Sequence, residues 1–392
     1  MIKSIELRNF KSIKKKYFPL RKLNLLLGLN GMGKSSFIQS LLLLRQSENL
    51  AKRGELKLNG LPNGYVNIGT TKDARYQYAK KEDTIDFFLQ FKGSDLFEMR
   101  FNYEFESDIL TARNELPGLY PPTFDYSYIS EHRREALFSE NFQYLSATRI
   151  SPQSIHVKSF NNVVKLRNIG NYGEYTAHFI DTFYNEDIIF ENLTHKESVF
   201  IDVVLGIVIE NKTLLNQINL WMGEISPGVN IRTTSISSDE VMLEYVYKQP
   251  NFGSTNRFKP ENVGFGISYA LHVVTALLTS RPGELIIIEN PESHIHSKGQ
   301  AKLGQLIALT AQNDVQIIIE THSDHLINGV RVAVKENPEL KDEAIIFYFD
   351  KIVTDTEQFS RITNIEIDKN GELSDYPKDM LDEWGNQLFK LM

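Results

Sequence analysis

Residues 28–35 read Gly-Leu-Asn-Gly-Met-Gly-Lys-Ser, and every fixed position of the pattern GxxxxGK[ST] is met. Glycines let a backbone come close to an anion. The amides of such a loop, with the N-terminus of the helix that follows, face phosphate oxygens. In that arrangement Lys34 reaches the β- and γ-phosphates and Ser35 holds Mg2+. A second group, Glu284 to Glu292, is an apolar run that ends in the carboxylate of Glu289. A buried strand ending in an acid places that acid near Mg2+, directly or through water. A third run ends in Glu320-Thr321-His322-Ser323-Asp324. Polar residues at the carboxyl end of a strand in an α/β sheet occupy the usual ligand crevice, where His322 could contact the γ-phosphate or orient water.

These residues need elements that hold them. Leu23 to Leu27 is an apolar strand, residues 28–33 break it, and Ser35 to Arg45 reads as a leucine-rich helix. Upstream, Ile2, Ile5 and Leu7 alternate with polar residues before a hairpin-like KSIKKK stretch. Between about 60 and 150, IDFFLQF, FEMRFNYEF and YLSATR read as short strands, with a turn at LPGLYPPTFDY; together they predict an antiparallel sheet in the first lobe. Helical spacings at HFIDTFY and LLNQINLWM mark a mixed insertion. From Gly264 the order is glycine loop, helix (Ile267 to Leu278), turn, strand (Leu285 to Ile288), helix (about Lys298 to Thr310), strand (Val315 to Ile319). Such alternation predicts a largely parallel sheet covered by helices. The tail adds strands at AIIFYFD and ITNIEID and a short terminal helix holding Trp384. The class expected is therefore α/β, a mixed or parallel sheet core with antiparallel first-lobe strands and a partly helical insertion. Its expected divisions are 1–150, 151–255 and 256–392.

Composition bounds the rest. A chain of 392 residues, 41% hydrophobic and 24% charged, is neither disordered nor fibrous, and suggests two lobes or one core with a large insertion. With 43 basic and 50 acidic side chains the net charge is -7, which excludes a generally basic nucleic-acid coat but not a local patch. Two candidate patches are Lys11, Lys14, Lys15, Lys16, Arg21 and Lys22, and His132, Arg133 and Arg134. Zero cysteines exclude disulfides, thiolate zinc and a cysteine nucleophile. Charges interrupt the N-terminal apolar groups, and no run nears a spanning length. A soluble, cytoplasmic protein without a membrane partner is expected.

GLNGMGKSS, the carboxylate-ended strand and the ETHSD strand end, in this order, resemble an ABC-type ATPase of the group spanning chromosome-organising SMC, recombination-repair and OLD-like ATPases. The opening IELRNFKSIKK resembles that group's first strands. ENPESHIHSKGQAKLGQL, ETHSDHLINGVRVAVK and ELSDYPKDMLDEW are similar to the small armless bacterial AAA-like ATPases that contain DUF3696, often linked to defence systems. The likeness covers roughly 1–50 and 260–392; no long heptad tract stands for a coiled-coil arm, and no cysteine for a zinc hook.

The resemblance implies a P-loop NTPase of ABC-ATPase type using ATP and Mg2+. Asn30, Gly31, Met32, Gly33, Lys34, Ser35 and Ser36 then form the Walker A loop, and Ser35 and Glu289 serve the metal. Gly264, Phe265, Gly266 and Ser268 stand where the signature loop completes the site of the opposite subunit. Ser293, His294, Ile295 and His296 would be the D-loop, in preference to a zinc site at the two histidines, and His322 the switch histidine. A head-to-tail, ATP-dependent homodimer, or a higher assembly of dimers, follows.

Two departures matter. Gly264-Phe265-Gly266 lacks the usual serine-glycine-glycine, so the cross-subunit phosphate contact would come from amides or from Ser268. Asn290 stands where many relatives have a catalytic glutamate, and an amide cannot accept a proton near neutral pH. Glu292 could replace it as base, His322 could assist, or hydrolysis could be slow and nucleotide mainly a dimerisation switch. The ATPase elements leave no room for a separate TOPRIM nuclease domain, so cutting would belong to a partner effector. The expected role is a dimerising switch that senses or acts on DNA, or controls such an effector in antiphage defence. The alternatives are a DNA repair or recombination ATPase and a nucleotide-gated scaffold.

Overall fold

The computed structural model describes residues 1–47, 50–62, 64–113, 131–202, 206–249, 253–377, 380 and 383–391; the turn expected at LPGLYPPTFDY lies outside the described residues. The chain divides into two compact units. One comprises Met1–Phe142, Ile345–Ile365 and Pro377–Met392, the other Gln143–Ala344 and Glu366–Tyr376.

In the first unit six strands form a sheet in the order Ile13–Pro19, Ile2–Phe10, Ile85–Phe91, Phe97–Asn102, Ile109–Ala112, Glu55–Lys57. All its pairings are antiparallel. Alternation explains its faces: in Phe97–Asn102 the residues Phe97, Met99 and Phe101 are buried, whereas Glu98 and Asn102 are exposed. The KSIKKK stretch closes the first hairpin, with Ile5 opposite Phe18. Lys14 and Lys15 are exposed, Lys14 paired with Glu357 at 2.6 Å, while Ile13 and Phe18 are buried.

Leu23–Gly28 is different, because leucines at 23, 25, 26 and 27 bury both of its faces. Its neighbours in this unit are Ala344–Val353 and then Gln358–Glu366. The helix Lys34–Gln46 is anchored by the fully buried Phe37, whose ring lies 4.5 Å from that of Phe18, itself 5.3 Å from Phe347. Truncating Phe37 to alanine would remove about 3–5 kcal/mol of stability.

The second unit holds the parallel pair Leu285–Glu289 and Gln316–Glu320, in register from Leu285 with Gln316 to Glu289 with Glu320. The helices Phe265–Leu278, Ser297–Ala311 and Asp324–Glu336 accompany it. The first two lie within two residues of their predicted bounds, because the apolar period and the flanking glycine and polar residues mark both ends; the helix Asp324–Glu336 was not anticipated. The insertion is mixed as expected: helices Thr176–Phe183 and Leu214–Ile225, and antiparallel strands Val229–Ser235 and Glu240–Gln249, the latter also paired with Ile155–Val157. An outlying hairpin, Val199–Asp202 with Ile207–Glu210, exposes Val199, Phe200, Ile201, Ile207 and Val208.

The observed class is the expected α/β class, with a mixed sheet core, an antiparallel first-lobe sheet and a partly helical insertion. The compact units follow space rather than chain order, and their bounds differ from 1–150, 151–255 and 256–392. Residues 345–365 join the N-terminal unit because the tail strands lie beside Leu23–Gly28. Among the described residues no helix is long and apolar enough to cross a membrane.

Candidate functional site

The sequence-predicted residues fall into two groups, one in each unit. In the first unit the buried strand stops at Gly28 and the helix starts at Lys34. Between them the backbone passes through left-handed conformations at Gly31 (φ 77°) and Gly33 (φ 107°), which strain any residue with a Cβ. The helix N-terminus has no side-chain cap and no acidic residue in its first turn, so its positive end is not offset locally. Asn30, Gly31 and Ser35 are exposed; Met32 and Gly33 are half-buried; Lys34 and Ser36 are buried. Lys34 Nζ bends back and donates to the carbonyls of Gly28 (2.8 Å) and Leu29 (3.0 Å). A cation held over its own loop is placed to exchange these carbonyls for phosphate oxygens.

Two serines that sequence reasoning passed over brace the loop. Ser360 Oγ donates to the Met32 carbonyl (2.6 Å) and lies 2.8 Å from Ser12 Oγ. A Cβ at Gly33 would stand 2.5 Å from Ser360 Oγ and 2.6 Å from Ser12 Oγ, so the space beneath the loop admits only glycine. Beside Gly31 opens a cavity of about 380 Å3 lined by Lys11, Lys72, Asp73, Tyr76 and Phe359 among others. Lys11 Nζ donates to Gln39 (2.8 Å), and burial holds its pKa below the usual lysine range. A larger cavity of about 530 Å3 sits at the other end of the loop's helix, by Arg45 and Gln46.

In the second unit, Glu289, Asn290, Glu292 and His322 come together at the carboxyl ends of the parallel pair. Glu289 accepts from Tyr144 Oη (2.9 Å) and from the Ala147 amide (3.4 Å). Asn290 turns the chain in a left-handed conformation (φ 45°), and its amide donates to the Glu320 carbonyl (2.8 Å). Its Oδ1 is buried without a hydrogen-bond partner. Glu292, 9% exposed, accepts from the His322 amide (2.8 Å), and His322 itself is exposed. Burial raises the pKa of both Glu289 and Glu292, against the lowering effect of their hydrogen bonds.

Gly264 caps the helix Phe265–Leu278, and Phe265 is 54% exposed. Gly266 packs so closely on residues 293–296 that a Cβ there would lie 2.2 Å from the His294 carbonyl oxygen. Ser268 corrects one expectation. Its side chain is buried and its Oγ meets Tyr245 Oη at 3.2 Å, because the helical turn carries it to the core face. Ser293 Oγ donates to the Asn290 carbonyl (3.0 Å), His294 is exposed in a left-handed conformation (φ 64°), and Ile295 is buried. His296 Nδ1 accepts from the Lys298 amide (3.3 Å), so it caps the next helix. Among the described residues no group of three His, Cys, Asp or Glu could hold a metal by itself.

Sequence reasoning also missed Arg149, which donates to the carbonyls of Glu289 and Asn290 from a buried position. Its only sequence signal is an arginine closing the YLSATR segment.

A model of the family described as "AAA domain, putative AbiEii toxin, Type IV TA system" matches residues 23–328. The chain belongs to this AAA-domain family. Residues 341–391 match a second model, DUF3696, a protein of unknown function. No curated protein matches the sequence. Among solved structures, an Smc head bound to the C-winged helix domain of ScpA is similar at 14% identity and TM-score 0.53, covering 93% of this chain and 98% of that one. An Smc head with an extended coiled coil, bound to the C-terminal domain of ScpA derived from Pyrococcus furiosus, has 12% identity, TM-score 0.49 and coverage of 100% and 99%. The first likeness shows that the AAA-domain chain has an SMC-head-like ATPase fold.

Proposed function

We propose that this AAA-domain protein binds ATP and hydrolyses it to ADP and phosphate, and that nucleotide joins two copies head to tail. The observation that carries the reading is the phosphate loop: glycines in left-handed conformations, an uncapped helix N-terminus, and Lys34 closed over the loop beside a cavity. A triphosphate fits that donor set, with Asn30 to Ser36 as its contacts. Ser35 and Glu289 would hold Mg2+, whose oxygen-ligand preference they match, and the ion would offset phosphate charge. In the second unit Glu292 is the residue to accept a proton from water, since burial raises its proton affinity and the Asn290 amide cannot take one. His322, exposed at the same strand end, would orient that water or contact the γ-phosphate. The loop from Gly264 to Gly266, through its amides, and the turn at residues 293–296 would meet the nucleotide of the partner copy.

The assembly then passes its nucleotide state to a partner effector, with a nuclease in defence as the leading candidate and direct DNA contact as a further one. Support comes from the toxin–antitoxin description of the family model and from the Smc head of similar fold bound to a ScpA domain. The second reading, a nucleotide-gated scaffold with negligible turnover, rests on Asn290. Native mass spectrometry with and without ATP, beside phosphate release with and without DNA, tests both. ATP-dependent dimers with release support the switch, and dimers without release support the scaffold. DNA-stimulated release favours a repair or recombination ATPase, and absence of ATP binding defeats all three.

A further inference from the structure

A buried guanidinium loses its hydration and persists only where its donors and charge are answered. Arg149 is 3% exposed, and burial lowers its pKa to about 10, so it stays charged at neutral pH. Its Nη2 donates to the Glu289 carbonyl (2.6 Å) and its Nη1 to the Asn290 carbonyl (3.1 Å). The planar fork thus holds two successive carbonyls, which a lysine ammonium cannot reproduce. Its Nε has no hydrogen-bond partner, and the nearby carboxylates of Glu292 and Glu289 answer its charge. The residue gripped, Asn290, turns the chain in a left-handed conformation, which asparagine adopts more readily than most residues.

On its other side Arg149 meets the helix that begins at Phe265. Its Cζ lies 5.7 Å from the centre of the Tyr269 ring, and Tyr269 Oη donates to the Arg149 carbonyl (3.5 Å). The Tyr269 ring packs edge-on against His294 (5.4 Å between centres), and Phe265 stands 6.4 Å from Tyr269. Arg149 therefore lies between the turn that carries Glu289, Asn290 and Glu292 and the surface formed by Phe265 and His294. We propose that Arg149 is a positioning residue for ATP cleavage: its fork fixes the Glu289–Asn290 turn and ties it to the helix Phe265–Leu278. This rests on the ATPase reading above. The guanidinium sets where the acid and the base candidate stand, and does not itself hold the phosphate loop.

The test uses the full-length protein as wild type, R149M and R149K. Three readouts are taken: affinity for an ATP analogue with a non-cleavable β,γ bond, kcat and KM for ATP, and hydrogen–deuterium exchange without nucleotide. For R149M, analogue affinity should stay within about threefold while kcat falls at least roughly tenfold, the signature of an interaction used in the chemical step. Exchange should rise at residues 289–296 and stay unchanged in the helix Asp324–Glu336. R149K, a single donor in place of the fork, should fall between wild type and R149M in kcat. Wild-type kcat in R149M, or unchanged exchange at 289–296, overturns the proposal. So does exchange that rises throughout the unit with affinity and kcat falling together, since that is a role in folding alone. If R149M does not fold, R149K decides: wild-type kcat and exchange in that variant overturn the proposal. If wild type itself fails to cleave ATP, the ATPase reading falls, whereas the exchange result still reports whether Arg149 holds the turn.

Discussion

The phosphate loop and the Glu289 turn are built on opposite principles. The loop is local: residues 28–36 supply the glycines, the cation and the helix start, and Ser12 and Ser360 brace it from elsewhere in the chain. The turn is assembled from three segments, at Tyr144 to Arg149, Glu289 to Glu292, and Glu320 to His322. The loop is open to solvent at Asn30, Gly31 and Ser35, whereas the turn buries Arg149 and Glu292. An anion site needs amides and one cation near water, and short-range geometry suffices. A site that moves protons must shift carboxylates away from their ordinary pKa, and desolvation by distant segments does that.

The sharpest test of the contrast removes the loop's cation. K34A should lower ATP cleavage by about 100-fold or more and weaken ATP binding at least roughly tenfold, because a charge-assisted contact to phosphate is lost. Thermal unfolding should be nearly unchanged, and wild-type affinity measured by calorimetry would break the assignment. E289Q should act in the other way, reducing kcat by about 100-fold while ATP still binds, since it removes charge at the proposed Mg2+ position and retains shape. A parallel loss of affinity and kcat in E289Q would merge the two regions into one binding site.

Sharing between copies can be tested by mixing K34A with G264D. Gly264 is the better position because nothing lies within 4 Å of an added Cβ there, whereas at Gly266 the side chain would strike His294. Exchange of subunits should produce one intact site per mixed dimer. Roughly half of wild-type cleavage in that dimer follows if each site turns over alone, given that each lesion blocks its own site. No recovery after mass spectrometry confirms exchange would reject the head-to-tail arrangement.

The base gives a smaller, pH-dependent effect. Burial raises the Glu292 pKa, so a Glu292 base loses activity, as pH falls, at a pH above the ordinary carboxylate range. Linkage has the same origin: a carboxyl with a raised folded-state pKa favours folding below its unfolded pKa and loses that contribution as pH rises through the folded value. E292Q should therefore reduce kcat by about tenfold, flatten the acid limb, and gain thermal stability relative to wild type at pH above the folded-state value of Glu292 rather than below its unfolded value. N290E should raise single-turnover cleavage if the asparagine is limiting. Equal rates in wild type, E292Q and N290E would remove both residues from the chemistry. The mildest change is S360A, which frees the Met32 carbonyl and should weaken ATP binding by about threefold, near the worth of one hydrogen bond.

The loop and the local elements were legible in the sequence because their causes are local. Glycine at 31 and 33 permits the left-handed backbone, and the leucines before and after it set a strand and a helix. The predicted helix Ser35 to Arg45 is observed as Lys34–Gln46, and the strand before Glu289 ends at that residue. The acid, the amide beside it and the histidine could be named from strand ends alone. Tertiary structure decided what no spacing carries. It turned Ser268 inward against Tyr245, returned residues 345–365 to the N-terminal unit, set Ser360 under the loop, and buried Arg149 against the carbonyls of Glu289 and Asn290. These outcomes depend on contacts between segments tens to hundreds of residues apart and on the loss of water around charge. Sequence pattern fixes which groups are available, but packing determines their partners and how strongly each holds its proton.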